Sequence, residues 1–184
     1  LWRLSSSLLP VISWLWRKTA LRLMRRGLSR ATQVITNSEY TRRLFIGRYP
    51  ACKEKTSVGY VGVGDDFSLM KHQCSGLDKT RRLVTVSRLT EPRKNVDKVL
   101  RALDQLKQYS FQYTIVGDGH LRSDLQSLSN QLGLEDRVSF TGFITKTEIQ
   151  KILSVSDLFI LASAVLPDSF EGFGIAYLEA NACG

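Results

Sequence analysis

The sequence predicts an α/β chain built on a parallel sheet flanked by helices, and three observations lead there. From residue 81 onward, short β-branched runs alternate with helix-length segments, the pattern of parallel strands joined by crossover helices. Each run ends at a turn marked by glycine or charged side chains, and in such sheets ligands bind at the carboxyl ends of the strands. The 184 residues are 43% hydrophobic, 9% aromatic and 23% charged, ordinary usage that excludes a disordered, collagen-like or disulfide-miniprotein chain.

Residues 1–30 hold seven basic residues and no acidic one, with Trp2, Trp14 and Trp16 among them. Arg3, three serines and Pro10 interrupt the apolar stretch, so it does not qualify as a membrane-spanning helix. From Trp14 to Arg30, the residues Leu15, Leu21, Leu23, Met24 and Leu28 approximate one helical face, opposite Arg17, Lys18, Arg22, Arg25 and Arg26. That pattern predicts an amphipathic basic helix, which either lies in a lipid interface or packs its apolar face on a core.

Gln33 to Thr36 has the β-branched character of a short buried strand, Asn37 and Ser38 those of a turn and a helix N-cap, and Glu39 to Arg48 reads as a helix. A strand near Thr56 to Val61 leads into a polar, glycine-bearing connection. We expect residues 1–66 to close one domain, 67–80 to be a linker and 81–184 to form a second domain. Strands are expected at Arg82 to Val86, Gln112 to Val116, Val138 to Thr141 and Leu158 to Leu161. Helices are expected near Val96 to Gln108, Leu121 to Leu132 and Thr147 to Val155, with a last one from Phe173. The chain opens on leucine in an apolar run and stops directly after that last helix, so an internal fragment of a longer protein is expected.

The net charge of +9 lies entirely in the first 80 residues, where 14 Lys and Arg face 5 Asp and Glu; the remainder holds 12 of each. An anionic membrane surface meeting residues 14–30 is the expected partner of that charge. A nucleic-acid partner is not expected, because no binding motif accompanies it. Cys52, Cys74 and Cys183 form no CxxC pair, and His72 and His120 stand far apart. No metal site or disulfide framework is expected, and reduced structural thiols fit a cytoplasmic protein.

The chemistry sits in the turns. After the first strand of the second domain come Arg88 and Lys94, with Asn95 as N-cap candidate. Two cations beside a helix N-terminus can hold a diphosphate. Gly117-Asp118-Gly119 is a tight turn but an incomplete dinucleotide fingerprint, and His120 reads as an exposed first-turn residue. Phe143 and Ile144 can wall a flat base or simply belong to the core. In the fourth turn, Glu171-Gly172-Phe173-Gly174 precedes Ile175 and a helix carrying Glu179. The glycines allow a ligand close to bare backbone N–H groups. Glu179, in an apolar helix, needs a partner such as ribose hydroxyls or a nearby cation.

Glu171 and Glu179, separated by seven residues as E-GFGIAYL-E and followed by A-x-A-C-G, resemble the retaining GT-B glycosyltransferases of family 4. SRL with Lys94 six residues after Arg88, VGDG and FTGFI agree with that family in order and spacing, from about Ala31 to Gly184. Two departures are Val61-Gly62-Val63-Gly64-Asp65, where the family often has Asn-Gly-Val-Asp, and Asn95 in place of glycine. The resemblance implies a Rossmann-like C-terminal domain plus the tail end of a second Rossmann-like, acceptor-side domain. It implies that Arg88 and Lys94 bind and stabilise the leaving diphosphate of a UDP- or GDP-sugar. Glu171 would approach the transferred sugar, Glu179 the ribose, Ile144 the base, and Gly172, Phe173, Gly174 and Ile175 would give further donor contacts. The donor is then a substrate and no cofactor is required. The acceptor expected is a glycan or lipid-linked hydroxyl, with the protein peripheral on the inner face of the cell membrane. A sugar-phosphate phosphorylase or epimerase of the same architecture, and a basic membrane-binding module, are the alternatives.

Overall fold

In the computed structural model, described over residues 9–64, 67, 80–166 and 169–184 and for side chains from Lys18 onward, the chain divides into two compact units, Leu1–Tyr60 and Val61–Gly184. Apart from Phe67 and Thr80, the expected linker 67–80 lies outside the described residues, as do Trp2, Asp65, His72 and Cys74.

The first unit opens with α1 (Leu9–Arg30), which starts five residues before the expected helix because Pro10 falls in its first turn. Proline is tolerated there, since the N–H it lacks would have no partner in the helix. Leu21, Leu23 and Met24 are exposed. The Lys55 ammonium closes the far end, donating to the carbonyls of Leu28 at 2.5 Å and Ala31 at 2.9 Å, groups that a helix leaves unpaired at its C-terminus. Strand β1 (Val34–Thr36) pairs in parallel with β2 (Thr56–Val58) across α2 (Glu39–Arg48) and a 3-10 turn at Pro50–Lys55. Ser38 caps α2 as expected, its hydroxyl accepting from the Thr41 amide at 3.1 Å. Strand β2 is three residues long rather than six because its partner ends where that cap begins.

The second unit is the expected α/β layer structure. Strands β3 (Arg81–Val86), β4 (Phe111–Val116), β5 (Val138–Gly142) and β6 (Leu158–Phe159) form one parallel sheet in the order β5-β4-β3-β6. The intervening helices are α3 (Val96–Asp104), α4 (Arg122–Gln131) and α5 (Lys146–Ser154), and α6 (Ile175–Ala182) follows β6. Two cores result. Val96, Val99, Leu100 and Leu103 of α3 and Leu125 of α4 pack on Tyr113 and Ile115. Leu153, Ala180, Ala182 and Cys183 pack with Val84, Val116 and Phe67. Residues of opposite parity along β3 and β4 serve opposite faces, as a sheet covered on both sides requires. Cys52 and Cys183 are buried free thiols.

In this unit three boundaries differ from the sequence expectation by two residues or more, each for a visible reason. Helix α3 stops at Asp104 rather than Gln108, because Gln105 and Leu106 donate to carbonyls three residues back, the tightened last turn common at helix ends. Strand β6 stops at Phe159 rather than Leu161, because the Ile160 carbonyl accepts from the Thr85 hydroxyl and that of Leu161 from the Tyr177 hydroxyl. Helix α6 starts at Ile175 rather than Phe173, because Gly174 sits at φ 81°, ψ 57°, outside the helical region.

Candidate functional site

Strand β3 leads through α3 to β4 on one side and has β6 on its other side, so the strand order reverses between β3 and β6. A crevice at the carboxyl ends of two such strands is where open α/β sheets bind ligands. The segments leaving those strands are Ser87 to Asn95 and Ile160 to Gly174.

The two segments are stitched together. The Ala164 amide donates to the Arg93 carbonyl at 2.7 Å, and the Asn95 side-chain amide donates to the Ala162 carbonyl at 2.6 Å. Asn95 is therefore not the side-chain cap expected of it: it takes the left-handed conformation, φ 53° and ψ 34°, with its amide turned to the neighbouring segment. Asparagine tolerates that conformation better than most residues, which lets it stand at a position where a glycine would also fit.

Glu171 is the convergence point. Its Oε2 accepts from the Lys94 ammonium and, at 3.4 Å, from the Ser163 hydroxyl, and it lies 3.6 Å from Nη1 of Arg93. Lys94 and Arg93 share a 3-10 turn, Pro92–Lys94. Arg93 in turn reaches Glu91, Nη2 to Oε2 at 2.5 Å, and its side chain is only 9% exposed. Partial burial pushes the Glu171 carboxyl up, but the hydrogen bond and charge of Lys94, the charge of Arg93 and the Ser163 hydroxyl outweigh it and hold the group below its ordinary value.

Arg88, in contrast, is 77% exposed, and its one ion pair among the described residues is with Glu91, at 3.4 Å. It stands apart from the Lys94–Glu171 pair and borders two cavities. One, of about 190 Å³, lies over the ends of β3, β4 and β5, lined by Arg88, Gly117, Gly142, Phe143, Ile144 and Ile149 among others. The other, of about 480 Å³, holds Arg88 and Lys94 beside Leu89, Val96 and Leu125. Ile144 is thus half-buried in a small, largely apolar recess rather than sealed in the core.

The turn after β4 comes close enough to demand glycine. Gly117 has φ 128°, and a Cβ on it would lie 1.9 Å from the Ser87 carbonyl oxygen. Asp118 steadies the turn, accepting from the Gly119 amide and pairing with Arg122 at 3.1 Å. His120 is exposed ahead of α4.

At the start of α6, Gly174 is buried and its left-handed φ leaves room for the Tyr177 ring, which a Cβ would meet at 2.6 Å. Tyr177 also stacks edge-on against Phe159 at 5.4 Å. Burial and then the Glu171 charge raise its phenol. Gly172 and Phe173 are half-buried, Ile175 is exposed, and Glu179 is half-buried on α6, where its charge adds to burial in raising the Cys183 thiol. The structure therefore brings Lys94 and Glu171 into contact and places Arg88 with Ile144. It adds Arg93, Ser163 and Tyr177, which sequence reading did not assign, and Asn95, which it read only as a helix cap. Arg93 sits beside Lys94 in the sequence, and nothing in the residue types tells that both cations turn inward on Glu171. Among the described residues no cluster of metal-ligating side chains occurs, and no helix is long and apolar enough to cross a membrane.

The amylovoran biosynthesis glycosyltransferase AmsK of Erwinia amylovora is 34% identical over 134 residues, 71% of this chain and 32% of that protein. A GDP-mannose-dependent α-(1-6)-phosphatidylinositol monomannoside mannosyltransferase of Mycolicibacterium smegmatis is 35% identical over 113 residues, 59% of this chain and 29% of that one. Among solved structures, HepE of Anabaena in complex with UDP-glucose matches with a TM-score of 0.70 at 26% identity, covering 90% of this chain and 46% of that one. The lipopolysaccharide outer core galactosyltransferase WaaB, in its apo form, matches at 0.68 and 26%, covering 83% and 41%. The chain thus spans about a third of the length of these curated relatives and less than half of these solved ones. The model of the glycosyl transferases group 1 family matches residues 70–184, the stretch that carries the stitched crevice, and the chain belongs to that family.

Proposed function

We propose that this chain carries the donor-binding side of a retaining glycosyltransferase that moves a sugar from a nucleoside-diphosphate donor to a hydroxyl of a glycan or lipid-linked acceptor. The observation that carries the reading is the convergence of Lys94 and Arg93 on Glu171 at the point where the strand order reverses, with Arg88 open to solvent and lining one cavity together with Lys94. A diphosphate leaving group gathers negative charge as its bond to the sugar breaks. Cations gathered at the crevice offset that charge, and electrostatic stabilisation of this kind is the largest single source of catalysis in many enzymes.

In this reading Arg88 offers a forked pair of donors to the diphosphate and Lys94 a point charge. Glu171 faces the transferred sugar, and Gly172 to Ile175 line its approach. Ile144, in the recess that Arg88 borders, meets the base, and Glu179 meets the ribose. Attack from the face that the leaving phosphate vacates gives retention, with that phosphate taking the acceptor proton. The relatives named for amylovoran biosynthesis and for phosphatidylinositol monomannoside mannosylation support an envelope glycan or glycolipid as acceptor class. The HepE complex with UDP-glucose supports UDP as one donor base to try, beside GDP.

Calorimetric titration of the chain with UDP, GDP and ADP tests this. We expect binding to at least one, weakened by Arg88→Ala and by Glu179→Ala. Absence of binding to all three overturns the reading.

A further inference from the structure

We propose that Arg93 is a positioning residue that takes over Glu171 when Lys94 turns to an anionic ligand, keeping the carboxylate ionised and in place through the exchange. The inference rests on the donor-site reading, since it needs an anion to draw Lys94 away.

The two cations of the 3-10 turn are held in different ways. Lys94 reaches Glu171 through a flexible stem that ends in a compact ammonium with three donors, free to re-aim by rotation. Arg93 cannot re-aim. Its side chain is 9% exposed, its Nη2 lies 2.5 Å from Glu91, and its carbonyl receives the Ala164 amide at 2.7 Å. Yet its Nε and Nη1 are buried and have no hydrogen-bond partner among the described residues, and Nη1 lies 3.6 Å from the very oxygen that Lys94 occupies. That is within ion-pair range and slightly beyond a hydrogen bond. A buried guanidinium with idle donors is costly to keep unless something uses them, and a shift of a few tenths of an ångström would engage Glu171.

The charge balance points the same way. Facing Glu171 are Lys94 and Arg93, with Glu91 beyond Arg93, Ser163 from the segment after β6, and Tyr177 of α6. If an incoming diphosphate removes the Lys94 charge, Glu171 is left with the Ser163 hydroxyl, a nearby anion and Arg93. Without Arg93 the carboxyl would take up a proton on binding. With it, the carboxylate persists where the sugar is expected.

The test is proton uptake. The full chain is titrated with UDP or GDP near pH 5, just above the unperturbed glutamate value of ~4.3, in two buffers of different ionisation enthalpy, and again near pH 7. We expect little uptake in the wild type. Arg93→Gln should bind several-fold more weakly near pH 7, take up a fraction of a proton near pH 5 and regain affinity as the pH falls, and Arg93→Lys should restore wild-type behaviour. A merely structural Arg93 would lower the melting temperature and leave uptake unchanged, and that outcome overturns the proposal. Should Arg93→Gln fail to fold, Lys94→Gln supplies the second reading by carboxyl carbon-13 resonance. Glu171 should still titrate below the ordinary glutamate range because Arg93 has closed on it, and an ordinary value overturns the proposal. A wild-type chain that binds no nucleotide overturns the donor-site reading and this one together, whereas normal binding with unchanged uptake in Arg93→Gln overturns this one alone.

Discussion

The ammonium of Lys94, in the turn after β3, is hydrogen-bonded to the carboxylate of Glu171, 77 positions further along the chain. Both side chains are mostly covered, 13% and 28% exposed, so the pair should contribute more than a surface ion pair and less than a fully buried one, about 1–2 kcal/mol. The folded carboxyl is held below its ordinary value, so this contribution is complete above the unfolded glutamate pKa of ~4.3 and is lost as the pH falls through the lower folded value. Urea titrations at neutral pH and near pH 3 should show the wild type losing that increment. Glu171→Gln should lack it already at neutral pH and fall less on acidification.

Arg88 and Lys94 should separate stability from binding. Arg88→Ala removes an exposed side chain with one long contact and should change stability by less than about 0.5 kcal/mol. It should still weaken nucleoside diphosphate binding about tenfold, the effect of losing one charge-assisted hydrogen bond of ~1.4 kcal/mol. Lys94→Ala should lower both. Paired thermal melts and calorimetry on the two variants check this, and a large loss of stability in Arg88→Ala would contradict the geometry.

Beneath the site, the Thr85 hydroxyl donates to the Ile160 carbonyl at 2.5 Å and accepts from the Tyr113 hydroxyl at 2.6 Å. Burial pushes that phenol up to about 12. Thr85→Val strands two buried polar groups and should cost about 2–3 kcal/mol, whereas Tyr113→Phe removes one partner cleanly and should cost about 1 kcal/mol. Denaturant midpoints of the two variants and of the double variant measure the difference. Equal costs would mean that the network is not closed as described.

Glycine should be required at Gly117 and only preferred at Gly142. A Cβ at Gly117 collides with the backbone oxygen of Ser87, whereas at Gly142 it meets the end of the Arg122 side chain at 2.8 Å, which can move. Gly117→Ala should therefore cost at least about 3 kcal/mol and abolish a folded product in many backgrounds. Gly142→Ala, with φ 72°, should cost about 1–2 kcal/mol. Circular dichroism melts distinguish them.

The alternation of strands and helices, the parallel sheet, the Ser38 cap and the glycine-bearing and charged turns at the strand ends were all legible in the sequence, because each depends on neighbours within a few residues. The limits of β6 were not. They depend on the hydroxyls of Thr85 and Tyr177 capturing its carbonyls from elsewhere in the chain. Asn95 looked like a cap because its type and place fit one, but the αL turn sends its amide across to Ala162.

Sequence alone determined which groups bear charge and where along the strands, turns and helices they stand: Arg88, Lys94, Glu171 and Glu179 all follow from local pattern and spacing. Tertiary structure decided which of them meet. It turned Arg93 inward and left Arg88 in solvent, a choice between chemically similar neighbours that is set by the packing of the segment after β6 against the turn after β3. Contacts across 77 positions carry no local signature, since the residue types at each end are equally at home in water.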